Sequence, residues 1–196
     1  ELKRVCHAMG ISINEYLVSV YIWSVYTECL HGMPSKCPIR VAVPVNLRPY
    51  FNSITTKNFF VMVSAEFHPT KETYTFAEVA AIVKESLRSQ INRENLEKLF
   101  SYNVSNEKLL IARVVPLFLK NLAMKYVYTT SALANTATIT NIGNISVTEE
   151  YRPYVEMFHA FLAMSKGQHL KGTICSYGDT LVFSFSYDLV DASVQR

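Results

Sequence analysis

The sequence predicts an α/β fold of the α+β type, a two-layer sandwich with a mostly mixed or antiparallel sheet flanked by helices. Apolar strand patterns occur near both ends of the chain, and helical spacing of apolar residues dominates its middle. The 196 residues suffice for one well-filled core, and the sequence has no repeat, low-complexity tract or clear linker. We therefore expect residues 1–196 to form a single lobe.

Two helices are expected before the first strand. ELKRVCHAM indicates a short helix that ends at Gly10. A second helix begins after Ser12, because Glu15 follows three residues later in a capping-box pattern. Its inner face is predicted to consist of apolar residues at helical spacing: Tyr16, Leu17, Val20, Tyr21 and Trp23.

Two strands and a run of helices are expected next. PIRVAVPVNL alternates and then becomes continuously apolar, as in a strand buried on both faces, and NFFVMVSAEFHP is a second strand. Residues 75–93 have helical spacing, and ENLEKLFSYN indicates a separate short helix. Residues 105–131 are predicted to form one long helix with a kink at Pro116.

The end of the chain is predicted to be rich in strands. TATITNIG is expected to run into a glycine turn. VEMFHAFLAMS, KGTICSYG and TLVFSFSYD are expected to form an antiparallel group, the last two joined at Gly178 and Asp179. VDASVQR is expected to open a helix.

Composition argues against several classes of partner. The formal net charge is +3, with 19 basic residues scattered among 16 acidic ones, so we expect no nucleic-acid binding. No apolar stretch approaches the roughly 18–20 residues of a membrane span, and no signal peptide is visible. The four cysteines form no CxxC motif, which favours reduced, mostly buried thiols in a cytoplasmic protein and no metal site.

Familiar catalytic motifs are absent from the sequence. There is no GxSxG elbow, P-loop, GxGxxG or HExxH motif. His7, His31 and His68 have no nucleophile or carboxylate at a helpful local offset, and His169 lies in a Gly/Lys turn. His159, inside a predicted apolar strand, is interpreted as a core or cleft residue rather than a catalytic base.

Polar residues at the ends of the first two strands are candidate site residues. Asn46 and Arg48 follow a buried strand, and Pro49 then turns the chain. Such residues can brace a loop by hydrogen bonds, and an arginine can also hold a carboxylate or phosphate. Asn58 is open to the same two interpretations, because it begins a strand and can cap the preceding turn.

A later strand end gives a second group of candidates. Thr140 and Asn141 precede Gly143, where the backbone can approach a ligand or another strand closely. A role in lining a cleft and a role in a β-bulge are both open.

These segments, in this order, resemble the C-terminal lobe of condensation-like acyltransferases of the chloramphenicol-acetyltransferase fold. The resemblance rests chiefly on VPVNLRPYF and TNIG, supported by KNFF and FSFSYDLVD, and it covers nearly the whole chain. Within this group, the sequence most resembles bacterial alcohol acetyltransferases and the condensation domains of nonribosomal peptide synthesis.

The resemblance implies an enzyme of two similar lobes that face each other across a tunnel. An acyl thioester of coenzyme A, or of carrier-protein phosphopantetheine, would enter from one side and an alcohol or amine acceptor from the other. A histidine of an HHxxxDG motif in the first lobe would act as general base. That motif is absent here, so we expect an N-terminal lobe before Glu1 and no catalytic residue in this chain.

The same resemblance ranks the candidate residues. The TNIG turn would lie near the tunnel, which places Thr140, Asn141 and Gly143 first, although many relatives have Ser-Asn-Leu-Gly there. Asn46 and Arg48 follow, with Asn58 behind them.

SYDLVDA matches HHxxxDG in spacing, with Tyr187 in place of a histidine and Asp191 in place of the aspartate. A phenol with a pKa near 10 is a poor proton acceptor at neutral pH. We therefore interpret this segment as a degenerate counterpart of the catalytic turn, with a structural role or a substrate contact. The alternative function for the whole chain is a non-catalytic binding or docking domain in a biosynthetic assembly.

Overall fold

Five strands form one mixed sheet in the computed structural model, which describes residues 1–108, 115–164, 167–188 and 194. The strands are β1 Ile39–Asn46, β2 Phe60–Phe67, β3 Ala137–Asn144, β4 Leu170–Tyr177 and β5 Thr180–Tyr187. Their order across the sheet is β2-β1-β3-β4-β5. β1 with β2 and β4 with β5 are antiparallel pairs, whereas β3 runs parallel to both β1 and β4. The predicted α+β sandwich with a mixed sheet is confirmed.

In the described part of the chain, two α-helices precede β1, and three lie between β2 and β3. They are α1 Leu2–Ala8, α2 Ile13–Ser24, α3 Phe76–Gln90, α4 Arg93–Lys108 and α5 Leu117–Leu133. A π-helical turn, Val25–Cys29, extends α2, and a short 3₁₀ helix covers Arg152–Tyr154. No helix in the described ranges is long and apolar enough to cross a membrane.

The main core lies between one face of the sheet and helices α2 and α3. It is built from the most deeply buried aliphatic side chains of both layers: Val18, Ile22, Val41, Val43, Val63, Val83, Leu87, Ile139 and Ile174. The predicted inner face of α2 is partly wrong. Leu17 and Tyr21 are buried, but Tyr16, Val20 and Trp23 are only half-buried, and Val18 is completely buried instead. Because α2 is apolar nearly all round, its pattern could not identify the face that packs.

An ion pair joins α2 to α3. Ser12 and Glu15 form the predicted capping box, and Arg88 donates from Nε to the Glu15 carboxylate at 2.7 Å and from a terminal nitrogen to the Gly10 carbonyl at 3.2 Å. Burial alone would raise the pKa of Glu15, but the hydrogen bonds from Arg88 and from the Ser12 backbone outweigh it and hold that pKa below its ordinary value.

The outer edge of β2 is covered by side chains of α3. The Gln90 amide group accepts from the Ser64 backbone N–H at 3.3 Å and donates to the Ser64 carbonyl at 2.9 Å. The Ser86 hydroxyl accepts from the Glu66 N–H at 3.1 Å. The backbone groups that an edge strand leaves unpaired are therefore bonded at these two residues.

Two helix predictions need correction. Pro116 does not kink a helix, since α5 begins immediately after it and the Pro116 carbonyl accepts the first helical hydrogen bonds. A proline fits this position because an N-terminal residue needs no N–H partner. α4 is also longer than expected, since it covers Arg93–Lys108, while residues 109–114 of the predicted long helix lie outside the described residues.

The described part of the predicted strand VEMFHAFLAMS, residues 155–164, is not a strand. This segment has no regular structure and instead contacts side chains of β4. The Cys175 thiol donates to the Phe158 carbonyl at 3.2 Å, and the Lys171 ammonium donates to the Ala163 carbonyl at 2.8 Å. The Phe158 and Ala163 carbonyls are thus bonded by side chains rather than by a neighbouring strand, and His159 is exposed.

The cysteines only partly follow expectation. No disulfide joins any two of the four, all of which lie in the described ranges. Cys6 and Cys175 are buried, but Cys29 and Cys37 are exposed, so the expectation of mostly buried thiols is wrong for half of them. The helix predicted to begin in VDASVQR lies almost entirely outside the described residues.

Candidate functional site

A cleft of about 410 Å³ lies on the sheet face opposite the main core, over β2, β1 and β3. We call it the strand-end cleft, and it is lined by Pro44, Asn46, Arg48, Thr56, Lys57, Asn58, Phe59, Phe60, Met62, Thr138, Thr140, Asn141 and Leu162. Five of the six candidate residues, Asn46, Arg48, Asn58, Thr140 and Asn141, are among them, although they come from three separate segments of the chain. Gly143 is not in the lining.

Strand register explains why these side chains meet. Alternate residues of a strand point to the same face, and paired residues on neighbouring strands share a face. Asn46 pairs with Phe60 and Pro44 with Met62. Thr138 pairs with Ala42 across the parallel seam, so Thr138 and Thr140 point to this face too.

The pairing of β1 with β3 ends below the cleft. Only Val41 with Ala137 and Ala42 with Thr138 are partners, although both strands continue past these residues. Pro44 is the next β1 residue on the cleft face. The polar candidates of β1 and β3 therefore lie where the two strands no longer pair.

Arg48 braces the loop between β1 and β2. Its guanidinium donates to the carbonyl oxygens of Thr55 at 3.1 Å and Lys57 at 2.7 Å, and to the Asn46 side-chain oxygen at 3.4 Å. The Asn46 oxygen also accepts from the Arg48 backbone N–H at 3.1 Å. The geometry thus favours the bracing interpretation for Arg48, while its side chain remains exposed at the cleft.

The Asn141–Gly143 segment is a β-bulge. The register between β3 and β4 shifts between Asn141 and Gly143, and Gly143 has a φ of +85°. The Asn141 side-chain oxygen accepts from the Gly143 N–H at 2.8 Å and so fixes the bulge. Bulges re-aim neighbouring side chains, and both open interpretations hold here, because Asn141 fixes the bulge and also lines the cleft.

The lining combines three kinds of chemistry. Asn46, Asn58 and Asn141 supply amides and the threonines supply hydroxyls. Lys57 and Arg48 are the cationic residues, and no carboxylate, histidine or cysteine is among the lining residues that the structure describes. Phe60 and Met62, about half exposed, add apolar surface. Such a cleft can hold an extended amide-bearing and anionic molecule that has an apolar part.

Ser186, Tyr187 and Asp188, the described residues of SYDLVDA, are not in the cleft lining. Tyr187 ends β5, pairs with Leu170 and is exposed. The Asp188 carboxylate contacts Nδ1 of His169 at 2.9 Å, and the Asp188 backbone N–H donates to the His169 carbonyl at 3.3 Å. Asp191 lies outside the described residues. Local spacing along the chain could not reveal the His169–Asp188 pair, because β4 and β5 separate its members.

Several lining residues were not predicted. Pro44, Phe60, Met62 and Thr138 lie two or four residues from predicted candidates, so face alternation along the strands could have identified them. Leu162 could not have been found, because its segment was predicted to be a strand. Within the described ranges, no group of three or more histidine, cysteine, aspartate or glutamate side chains could hold a metal ion.

The fold of this chain is similar to solved structures, although its sequence has no recognised relative. No protein-family model matches the sequence, and no curated protein matches it. The chain is similar to a solved structure described as the molecular basis for condensation domain-mediated chain release from the enacyloxin polyketide synthase. The TM-score is 0.48 at 10% sequence identity, with 99% of this chain and 35% of that chain covered. The chain thus spans about a third of the length of that structure.

Proposed function

We propose that this chain is the substrate-lining lobe of an acyltransferase. The enzyme would move an acyl group, namely acetyl, from a thioester of coenzyme A or of a carrier protein to an alcohol or amine. The observation that supports the proposal is the strand-end cleft. It brings together Asn46, Arg48, Asn58, Thr140 and Asn141, five of the six candidate residues of the sequence.

The chemistry of the cleft suits such a donor. Coenzyme A and phosphopantetheine are anionic and carry an extended arm with amide groups, which amide and hydroxyl side chains can hydrogen-bond. Lys57 at the cleft favours an anion. Phe60 and Met62 offer apolar contact to the methylene or acyl portion.

The general base lies outside this chain in the proposal. An HHxxxDG histidine of the protein's own N-terminal lobe would remove the acceptor's proton, and this lobe would bind and orient the donor. The partners of this chain would thus be the N-terminal lobe, the acyl thioester and a small acceptor. A carrier protein would be a further partner if it holds the donor. We place this reaction in the cytoplasm.

The test uses the full-length protein with acetyl-coenzyme A and a short alcohol. The ester is detected directly, since exposed Cys29 and Cys37 would react with thiol reagents. We expect Asn141→Ala to lower kcat/KM by about tenfold, as for one lost hydrogen bond, and Tyr187→Phe to lower it less. Equal or reversed losses would mean that the cleft is not the substrate site.

An alternative role as a non-catalytic docking domain is favoured by α5, where Leu117, Phe118, Leu122 and Tyr126 are each at least 66% exposed. Purified residues 1–196 should show no acetyl transfer under either proposal. Turnover by this piece alone would disprove the assignment of the base to another lobe. Absence of turnover in a full-length protein that retains HHxxxDG would favour docking.

A further inference from the structure

Pro44 lies at the point where β1 and β3 stop pairing. The direction of its backbone follows from its neighbours. The Arg40 carbonyl accepts from the Thr136 N–H at 2.8 Å, and the Arg40 N–H donates to the Thr136 hydroxyl at 3.2 Å. Arg40 therefore directs its backbone groups toward β3, as its even-numbered neighbours in β1 must also do, because successive residues alternate in direction.

The hydrogen bonds between β1 and β2 indicate the same backbone direction for Pro44. The Leu47 N–H donates to the Phe59 carbonyl at 3.0 Å, on the β2 side. On β2, Ser64 and Glu66 direct their N–H groups away from β1, toward α3. The odd-numbered residues of β1 thus bond to β2, and the ring nitrogen of Pro44 faces β3.

A proline at this position has a specific effect on the sheet. The ladder between β1 and β3 ends at Ala42, and the next β1 residue whose N–H would continue it is Pro44. Proline has no N–H to donate, which is why it is rare in central strands. β1 is a central strand, with β2 and β3 on its two sides.

We infer that Pro44 is a positioning residue that keeps the strand-end cleft open by withholding the hydrogen bond that would extend the β1–β3 ladder. Asn46 on β1 and Thr140 and Asn141 on β3 then remain available to a ligand. The ligand named for this site, an acyl thioester with an amide-bearing arm, rests on the proposed function, whereas the effect on the ladder does not.

The test restores the missing donor in the full-length protein with Pro44→Val and Pro44→Ala. Two side chains of different size separate the effect of the N–H from that of side-chain volume. We expect the new amide at position 44 to be protected from hydrogen exchange by about 100-fold or more relative to an exposed amide. We expect kcat/KM for acetyl-coenzyme A to fall by about tenfold or more in both variants, with no loss of thermal stability.

Pro49→Ala is the matched control, because Pro49 lies in the exposed loop after β1 and outside the ladder. It should leave kcat/KM within about twofold of the wild type. A position-44 amide that exchanges like an exposed loop amide would overturn the inference. Protection with unchanged acetyl-coenzyme A kinetics would also overturn it. If the wild-type protein does not use acetyl-coenzyme A, the proposed function fails, and the exchange measurement alone decides the effect on the ladder.

Discussion

Gly143 and Gly172 are two glycines of neighbouring strands that are needed for different reasons. Gly143 has a φ of +85°, yet a Cβ built on it would meet no heavy atom within 4 Å. Gly172 has no such φ, but a Cβ there would lie 2.6 Å from the Phe183 ring and 3.3 Å from Ile139. The first position is limited by backbone conformation and the second by space.

Gly143→Ala should lower the free energy of unfolding by about 1–2 kcal/mol, the cost of a left-handed conformation for an L-residue. Gly143→Asn should cost less, because asparagine adopts positive φ more readily than alanine. Urea denaturation measures both. Equal losses for the two variants would contradict a conformational origin.

Gly172→Ala should cost about 1–3 kcal/mol through overpacking against Phe183. Phe183→Leu removes the clashing ring atoms, so the double variant should be less destabilised than the sum of the two single variants. The same urea measurements serve here. Strict additivity would show that the added methyl group is accommodated elsewhere.

At the scale of elements, the N-terminus of helix α3 is stabilised by an ionised carboxylate. Thr75 and Glu78 form a capping box at the start of α3, and Lys71 also contacts the Glu78 carboxylate. The hydrogen bond from Lys71, followed by those from Thr75, lowers the pKa of Glu78 to about 2 from an ordinary value of 4.5. The folded protein therefore holds this carboxylate in its charged form.

Stability should fall as the pH is lowered from about 4.5 toward about 2, because the unfolded state takes up a proton that the folded state excludes. Glu78→Gln should flatten this part of the profile, whereas Glu85→Gln, at an exposed position of the same helix, should leave it unchanged. Thermal unfolding at several pH values measures the difference. Parallel profiles for wild type and Glu78→Gln would contradict the assignment.

Most elements could be predicted from local signals, and the failures have physical causes. Ser12 with Glu15, the alternation in β1 and β2 and the Gly178–Asp179 turn each specify an element through a few adjacent residues. The segment 155–164 is as apolar as a strand, but its carbonyls bond to Lys171 and Cys175 side chains, which no local pattern records. The spacing of residues along the sequence reveals helix and strand periodicity and helix caps. It does not reveal which distant side chains will bond to a segment.

At the scale of the whole molecule, the cleft depends on contacts between distant segments. The Arg40–Thr136 hydrogen bond joins residues 96 positions apart and fixes β3 beside β1. Their positions at strand ends identified Asn46 and Asn141 as candidates, but only the sheet order places them at one cleft. The end of the ladder near Pro44 could not be predicted at all, because it requires knowing which strand lies beside β1.

Burial is uneven across the molecule, and this has a measurable consequence. Leu122 in α5 is 66% exposed, whereas Leu87 in α3 is 1% exposed. In residues 1–196, Leu122→Glu should change the free energy of unfolding by less than about 0.5 kcal/mol, while Leu87→Ala should cost about 2–5 kcal/mol. A large loss for Leu122→Glu would show that α5 is covered in solution.

The bonds from Gln90 and Ser86 to the outer edge of β2 also bear on self-association. β2 is rich in valine and phenylalanine, and an uncovered strand of that composition would template the stacking of one copy on another. Both backbone groups of Ser64 and the N–H of Glu66 are bonded to α3 side chains, so an incoming strand cannot use these groups of the β2 edge. Helix α3 thus blocks this part of the β2 edge from pairing with another copy of the chain, in addition to packing against the core.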